Sequence, residues 1–282
     1  MNPYDFHPWY PQGIRSFVAA GANHYVATID ETTVLKFPIM PHEEQTEHSA
    51  EVQRFRSSVR AAAVRGLEVE EQILRILGKY HRIIQLKGRH KDGLLLEYLP
   101  NGYVERYLRT NAHYTTIVQR LRWGQQAAEG LAYIHMKNVF RCDVSIGNLL
   151  LDSDLSIKLC DFQGILLHPS GHVVLDGGAA ESVMSSMPRP NRNYQDRKTN
   201  IFAFGTVLYI ILTDELPFPE LSIDDEDEIE REIERRFARQ DFPPPLEQLP
   251  GGDVIRNCWT GVYGNASRAM VDLQRWIDLL LP

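Results

Sequence analysis

The spacing of apolar residues from Leu67 to Leu77 (LEVEEQILRIL) predicts an amphipathic helix, and the alternation from Leu149 to Leu159 predicts a β-hairpin. Ile201 to Thr213 (IFAFGTVLYIILT) is apolar all round. That run is too short to cross a bilayer and contains Gly205, so it reads as a helix buried in a core. From Ser222 to Arg239 the chain starts acidic and turns basic, with Ile229, Ile233 and Phe237 on one helical face and Ser222 as N-cap. Early acid and late base suit the helix dipole, so this charge run reads as a stability feature, not a ligand site. Pro243-Pro244-Pro245 then reads as a stiff connection or, alternatively, a ligand for a proline-recognising module. Met40 to Arg65 is polar with scattered apolar positions, a loop followed by a helical extension of the helix at Leu67. Residues 1–13 are rich in proline and aromatics without periodicity, and no internal repeat is present.

Composition narrows the class. With 282 residues, 43% of them hydrophobic, the chain can bury a large core, and two unequal lobes suit its length better than one unit. A formal charge of −7 supplies no basic field for nucleic acid or for an anionic membrane. The opening MNPYDFHPWYPQG lacks the basic start and apolar run of a signal peptide, so a cytosolic or nuclear location is expected. Cys142, Cys160 and Cys258 make neither a disulfide framework nor a zinc spacing, which agrees with a reducing compartment.

The densest chemistry lies between Arg141 and Gly164 (RCDVSIGNLLLDSDLSIKLCDFQG). Asp143, Asn148 and Asp161 stand there at the spacing phosphoryl transfer requires. One carboxylate faces the acceptor hydroxyl, while an amide oxygen and a second carboxylate hold hard cations against phosphates. Asp143 is the candidate base, and Asn148 and Asp161 are the candidate Mg²⁺ ligands. Taken singly, Asp143 and Asn148 also fit ordinary turn positions.

This block resembles the catalytic loop and Asp-Phe-Gly motif of eukaryotic protein kinases, with Arg141-Cys142-Asp143 in the place of His-Arg-Asp and Asp161-Phe162-Gln163-Gly164 in the place of Asp-Phe-Gly. Val34-Leu35-Lys36, after a turn at Asp30-Glu31, resembles the third strand with its phosphate-binding lysine, and Glu70 then becomes the partner of Lys36. Leu94 to Gly102 resembles the strand and hinge between the lobes, and Cys258-Trp259 a pair on a later helix. The likeness runs in order over roughly residues 15 to 280, and the DFQG and Ser185-to-Pro190 wording is most similar to a group of fungal kinase-like proteins. It implies an α+β, two-lobed protein kinase fold: a tail (1–14), an N-lobe (15–96), a hinge (97–102) and a C-lobe (103–282). It further implies ATP and Mg²⁺ as cofactors, with Lys36, Glu70 and Asp143 catalytic. Gly21, Val26, Val34, Lys36, Leu96 as gatekeeper, the Glu97 and Leu99 backbones, and Leu150 would hold the nucleotide.

Departures from the pattern bear on activity. The phosphate-covering loop retains only its central glycine, Gly21, with Ala19 and His24 at the outer glycine places; His24 reads as a surface turn residue or as a phosphate donor. Ser145 replaces the lysine that touches the γ-phosphate in serine/threonine kinases, and Gly147 the arginine of tyrosine kinases. Loss of one such contact costs about 2 to 4 kcal/mol in the barrier. Arg141 stands where a histidine normally packs behind Phe162, and a buried guanidinium there needs a partner. Cys142 replaces the arginine that would meet an activation-segment phosphate, so Ser182, Ser185 and Ser186 are weak switches. Met187-Pro188-Arg189 lacks the usual glutamate, and Asn200 replaces an aspartate that accepts bonds from the catalytic loop.

Three functions are compatible with this resemblance: a divergent, slow serine/threonine-type protein kinase; a nucleotide-binding pseudokinase acting as scaffold or allosteric partner; or a small-molecule kinase. The long segment from Asp161 to Pro188 speaks for a protein acceptor over a metabolite.

Overall fold

The computed structural model describes residues 9–40, 49–141, 143–178, 181–191, 194–221, 226–244 and 246–281. Five antiparallel strands form the first part: β1 Ser16–Ala20, β2 His24–Thr28, β3 Thr33–Pro38, β4 Leu86–His90 and β5 Gly93–Glu97, in the order β1-β2-β3-β5-β4. The turn before β3 forms because Asp30 Oδ1 accepts from Thr32 N at 2.8 Å and Ile29 N donates to Thr33 O. β3 is buried along its whole length, as a central strand should be. Tyr10, Phe17, Tyr25 and Phe37 pack together, Phe17 edge to face with Tyr10 and Tyr25 and the other pairs tilted, and Trp9 N donates to Met40 O. Residues 9 and 10 therefore belong to the folded body; residues 1–8 of the predicted tail lie outside the described ones.

The predicted helix at Leu67 begins much earlier, as α1 Ala50–Leu77, with Ser49 Oγ accepting from Val52 N and Gly78 (φ 66°) ending it. Its Ala63, Leu67, Glu70, Ile73, Leu74 and Leu77 are buried, mostly three or four residues apart.

The second part is mainly helical: α2 Val104–Asn111, α3 Ile117–Met136, α4 Arg197–Thr213, α5 Glu226–Arg239, α6 Gly252–Trp259 and α7 Ala266–Leu280. Short strands punctuate it: β6 Val139–Phe140, the hairpin β7 Leu149–Leu151 with β8 Ile157–Leu159, then β9 Ile165–Leu167 and β10 Val173–Asp176. α4 contains the expected buried run. Asp196 and Thr199 close a capping box at its start, and Gly205 lets α6 approach, since a methyl there would lie 2.9 Å from Cys258 Cβ. On α5, Ile233 and Phe237 are buried and Ile229 is half-buried; Ser222, the predicted N-cap, lies outside the described residues, as does Pro245. Among the described residues no helix is long and apolar enough to cross a membrane. An N-terminal antiparallel sheet with the long helix α1 and a larger helical part make a two-lobed α+β fold.

Candidate active site

β3 delivers Lys36 beneath the sheet. The approach of β5 depends on Gly93, where a Cβ would stand 2.0 Å from Lys36 O. Lys36 Nζ lies 2.6 Å from Glu70 Oε2 and 2.7 Å from Asp161 Oδ1, so α1, β3 and the segment after β8 meet at one ammonium. Burial alone would lower the Lys36 pKa. The two carboxylates outweigh it and hold the amine above its ordinary value. Glu70 is fully buried; its Oε1 accepts from Phe162 N at 3.1 Å, fixing the backbone after Asp161. For Asp161, burial pushes upward, but Lys36, Arg141 and His24 win and keep the carboxyl below its usual range. Its side chain remains 41% exposed toward the cleft.

Asp143 and Asn148 are joined directly. Asn148 Nδ2 donates to Asp143 Oδ2 at 2.7 Å and to Asp143 O at 3.2 Å, which leaves its Oδ1, the oxygen a hard cation prefers, for the cleft. Ser145 Oγ also donates to Asp143 Oδ2, at 3.2 Å. Burial raises the Asp143 pKa against the pull of Arg141 and Ser145, and nearby Asp161 adds to the rise, as suits a carboxylate that must accept a proton. The β7–β8 hairpin sets the spacing: Cys160 N donates to Asn148 O at 3.1 Å, so the two metal-ligand candidates sit across one backbone bond.

Behind the loop, Asn200 on α4 accepts from Arg141 N at 3.0 Å and donates to Arg141 O at 2.7 Å. The amide thus accepts as expected, and also donates where a carboxylate could not. Arg141 packs 5.1 Å from the Phe162 ring centre, with Nε donating to Asp143 O. Among the described residues its buried Nη1 and Nη2 have no hydrogen-bond partner. The thiol of Cys160 is buried and pushed up to about 12, and burial pushes Cys258 higher still, so both are inert.

The nucleotide-binding candidates fall on the β1–β2 turn, β2, β3, β5 with the segment after it, and β7. Val34, Leu96 and Leu150 are buried, Val26 is half-buried, and Leu150 bridges to Tyr103. Glu97 turns its carboxylate to Lys158 (2.7 and 2.8 Å) and its N–H to Gln85 O. The Leu99 carbonyl accepts from Gly102 N at 3.2 Å, leaving its N–H for a ligand. Gly21 N donates to His24 O, closing a tight turn between β1 and β2.

His24 corrects the sequence reading. It is neither a surface turn residue nor a phosphate donor: at 5% exposure its Nε2 meets Ala63 O in α1 at 2.8 Å. Burial, chiefly, and then Lys36 push its pKa down to about 4, so the ring is neutral near pH 7. Sequence reasoning also missed Glu181. It ion-pairs with Arg189 at 2.8 Å, both side chains being nearly buried, and accepts from Ser186 Oγ at 2.9 Å. That bridge closes the activation segment internally in place of the missing glutamate; a lone Glu eight residues before an Arg gave no signal for it.

A family model described as protein tyrosine and serine/threonine kinase matches residues 27–269. Curated relatives include an Aurora kinase from Eremothecium gossypii, 28% identical over 51% of this chain and 40% of its own length. CBL-interacting serine/threonine-protein kinase 1 from Arabidopsis thaliana is 29% identical over 60% of this chain and 37% of its own. The dual specificity protein kinase shkC from Dictyostelium discoideum is 27% identical over 59% and 33%. The chain thus spans 40% or less of the length of these relatives. With a match over most of its length, and with the lysine, glutamate, aspartates and asparagine gathered in one cleft, this chain belongs to the protein tyrosine and serine/threonine kinase family.

Proposed function

We propose that this chain transfers the γ-phosphoryl group of ATP, with Mg²⁺, to a hydroxyl of a protein substrate, as a divergent and slow serine/threonine-type kinase. One observation carries the reading: Lys36 is held between Glu70 and Asp161 while Asp143 is hydrogen-bonded to Asn148, an assembled arrangement of the groups phosphoryl transfer uses. In the assigned roles, Lys36 steadies the α and β phosphates, and Glu70 steers the amine. Asn148 Oδ1 and the Asp161 carboxylate are hard oxygen donors, the set Mg²⁺ takes together with substrate phosphates. The bound ion would neutralise charge developing on the transferred group. Asp143 orients the acceptor hydroxyl and takes its proton, helped by its raised pKa. Gly21, Val26, Val34, Leu96, the Glu97 and Leu99 backbones and Leu150 hold the nucleotide, with residues 15–96 as N-lobe, 97–102 as hinge and 103–282 as C-lobe. Cytosol or nucleus is the proposed location, on the unpaired Cys160 and Cys258, and the DFQG wording supports placement with the fungal kinase-like proteins.

A second reading, a nucleotide-binding pseudokinase, is favoured by Ser145. The hydroxyl spends its bond on Asp143, and the residue itself brings no charge to a γ-phosphate. Incubation with labelled ATP and Mg²⁺ separates the two. Transfer to the protein itself or to a generic basic substrate, abolished in Asp143→Asn, supports the kinase; thermal stabilisation by nucleotide with no transfer supports the pseudokinase. Transfer confined to a metabolite in fractionated extract would instead make it a small-molecule kinase.

A further inference from the structure

Beside Asp161, at the same Oδ1 that Lys36 holds, a second cluster is built that none of the assigned roles uses. Gln163, 9% exposed, stands where the family pattern has glycine. Its Nε2 lies 2.9 Å from Asp161 Oδ1 and 3.4 Å from His24 Nδ1. The far side of the His24 ring meets Ala63 O, which can only accept, so Nε2 carries the ring proton and Nδ1 is the acceptor. Gln163 therefore donates twice, to the metal-ligand candidate and to the imidazole.

The glutamine is also gripped sterically. A methyl group on Gly66 of α1 would stand 2.4 Å from Gln163 Oε1, and one on Gly177 would stand 2.4 Å from the Gln163 carbonyl oxygen. At Gly177 the clash is with backbone and leaves no room for a side chain; at Gly66 it is with the amide tip, which would have to move off its present bonds. Arg65 adds a strand to the same seam, its Nε donating to Asp176 O at 3.4 Å. Asp161 itself has φ 61°, a left-handed conformation that a residue with a side chain keeps only when its surroundings over-determine it.

We infer that Gln163 is a positioning residue: clamped by His24, Gly66 and Gly177, it latches Asp161, β2 and α1 in the assembled arrangement with no phosphate on the activation segment. The inference rests on the reading of Asp161 as a metal ligand. It accounts for the sequence carrying Cys142 in place of the arginine that would read such a phosphate: the ordering work is done at Asp161 itself, through the Oδ1 that Gln163 and Lys36 share. It also explains why the third loop glycine could become a histidine, since that ring reaches α1 and not the phosphates.

The test uses the full chain. Gln163→Leu keeps the bulk and removes the donor; Gly66→Ala pushes on Oε1; Gly66→Ala in a Gln163→Ala background finds the space empty. Hydrogen exchange of the α1 amides near residues 61–75 should quicken about tenfold or more in Gln163→Leu and in Gly66→Ala, the ratio expected for losing a hydrogen bond to a charged group. Calorimetric titration with ATP should show the Mg²⁺-dependent part of the affinity weakened about tenfold and the metal-free part unchanged. Gly66→Ala should add nothing once Gln163 is alanine. In the unsubstituted protein, imidazole ¹⁵N shifts should report the Nε2–H tautomer of His24, with Lys36 and Asp161 the charged groups facing the ring. Unchanged exchange in Gln163→Leu, an equal Gly66→Ala penalty in both backgrounds, or an Nδ1–H tautomer would each overturn the latch. If exchange, cycle and tautomer behave as stated while no phosphate is transferred, the latch stands and the kinase reading falls.

Discussion

Replacing Glu70 with glutamine tests the electrostatic centre of the site while keeping its shape. The side chain is fully buried, and its two oxygens do different work: Oε2 pairs with Lys36 at 2.6 Å and Oε1 accepts from Phe162 N at 3.1 Å. Glutamine keeps an acceptor for Phe162 but turns an amide donor toward an ammonium. Breaking a buried ion pair costs about 3 to 5 kcal/mol when the survivor is left uncompensated. Here Asp161 still touches Lys36 at 2.7 Å, which puts the loss near the lower bound, about 3 kcal/mol. With unfolding entropy near 2.1 cal/mol/K per residue, a chain of this length loses about 5 °C in Tm. Scanning calorimetry on Glu70→Gln, Lys36→Met and the double variant reads this, and the double variant should lose less than the sum of the singles. Phosphate transfer, measured in parallel, should fall on the order of 10- to 100-fold because Lys36 then leans wholly on Asp161. A Glu70→Gln protein melting within about 1 °C of the parent, or strictly additive losses, would refute the pairing as a source of stability and order.

Acid should destabilise the fold through two histidines. Burial, as the largest cause, lowers both His24 and His135 to about 4, so the unfolded chain binds more protons between pH 6.5 and pH 4; stability is full above that window and is lost as pH falls through it. From pH 7 to pH 5 the linkage amounts to about 2 kcal/mol for each histidine, readable as a drop in the urea midpoint, and a flat profile would contradict the burial of both rings. Gly93→Ala forces a methyl against the Lys36 carbonyl and should cost about 2 kcal/mol or more, separating β5 from β3; urea unfolding with native-like stability would contradict that approach. Glu181→Ala removes the carboxylate partner of the nearly buried Arg189, which keeps its bonds to the Tyr194 and Met187 carbonyls, and should lower Tm by about 5 °C, with faster proteolysis between residues 176 and 195; an unchanged cleavage rate would show that the bridge does not close the activation segment.

Some of the site was legible because its residues lie close in the chain. Asp143, Asn148 and Asp161 are spaced by one turn and one hairpin, and local alternation from Leu149 to Leu159 was enough to bring them together. Lys36 and Glu70 could be named only through the resemblance, since 34 residues separate them and no local rule pairs them. His24 was misread for a related reason. Next to Gly21 in a tight turn it looks like a surface residue, and only the packing of α1 against the sheet gives its ring a carbonyl at Ala63, 39 positions away.

Binary pattern and spacing, read in the chain alone, determined the helices at Leu67–Leu77, Ile201–Thr213 and before Arg239, the Leu149–Leu159 hairpin, the buried character of α4 and the presence of phosphoryl-transfer residue types, because these follow from periods of two and 3.6 and from side-chain chemistry. Tertiary packing decided the rest: that Lys36 is shared by Glu70 and Asp161, that Gln163 is wedged between Gly66 and Gly177, and that Arg189 turns to Glu181. Charge partners and steric contacts are set by which faces meet when the core closes, and a linear pattern carries no measure of distance across it.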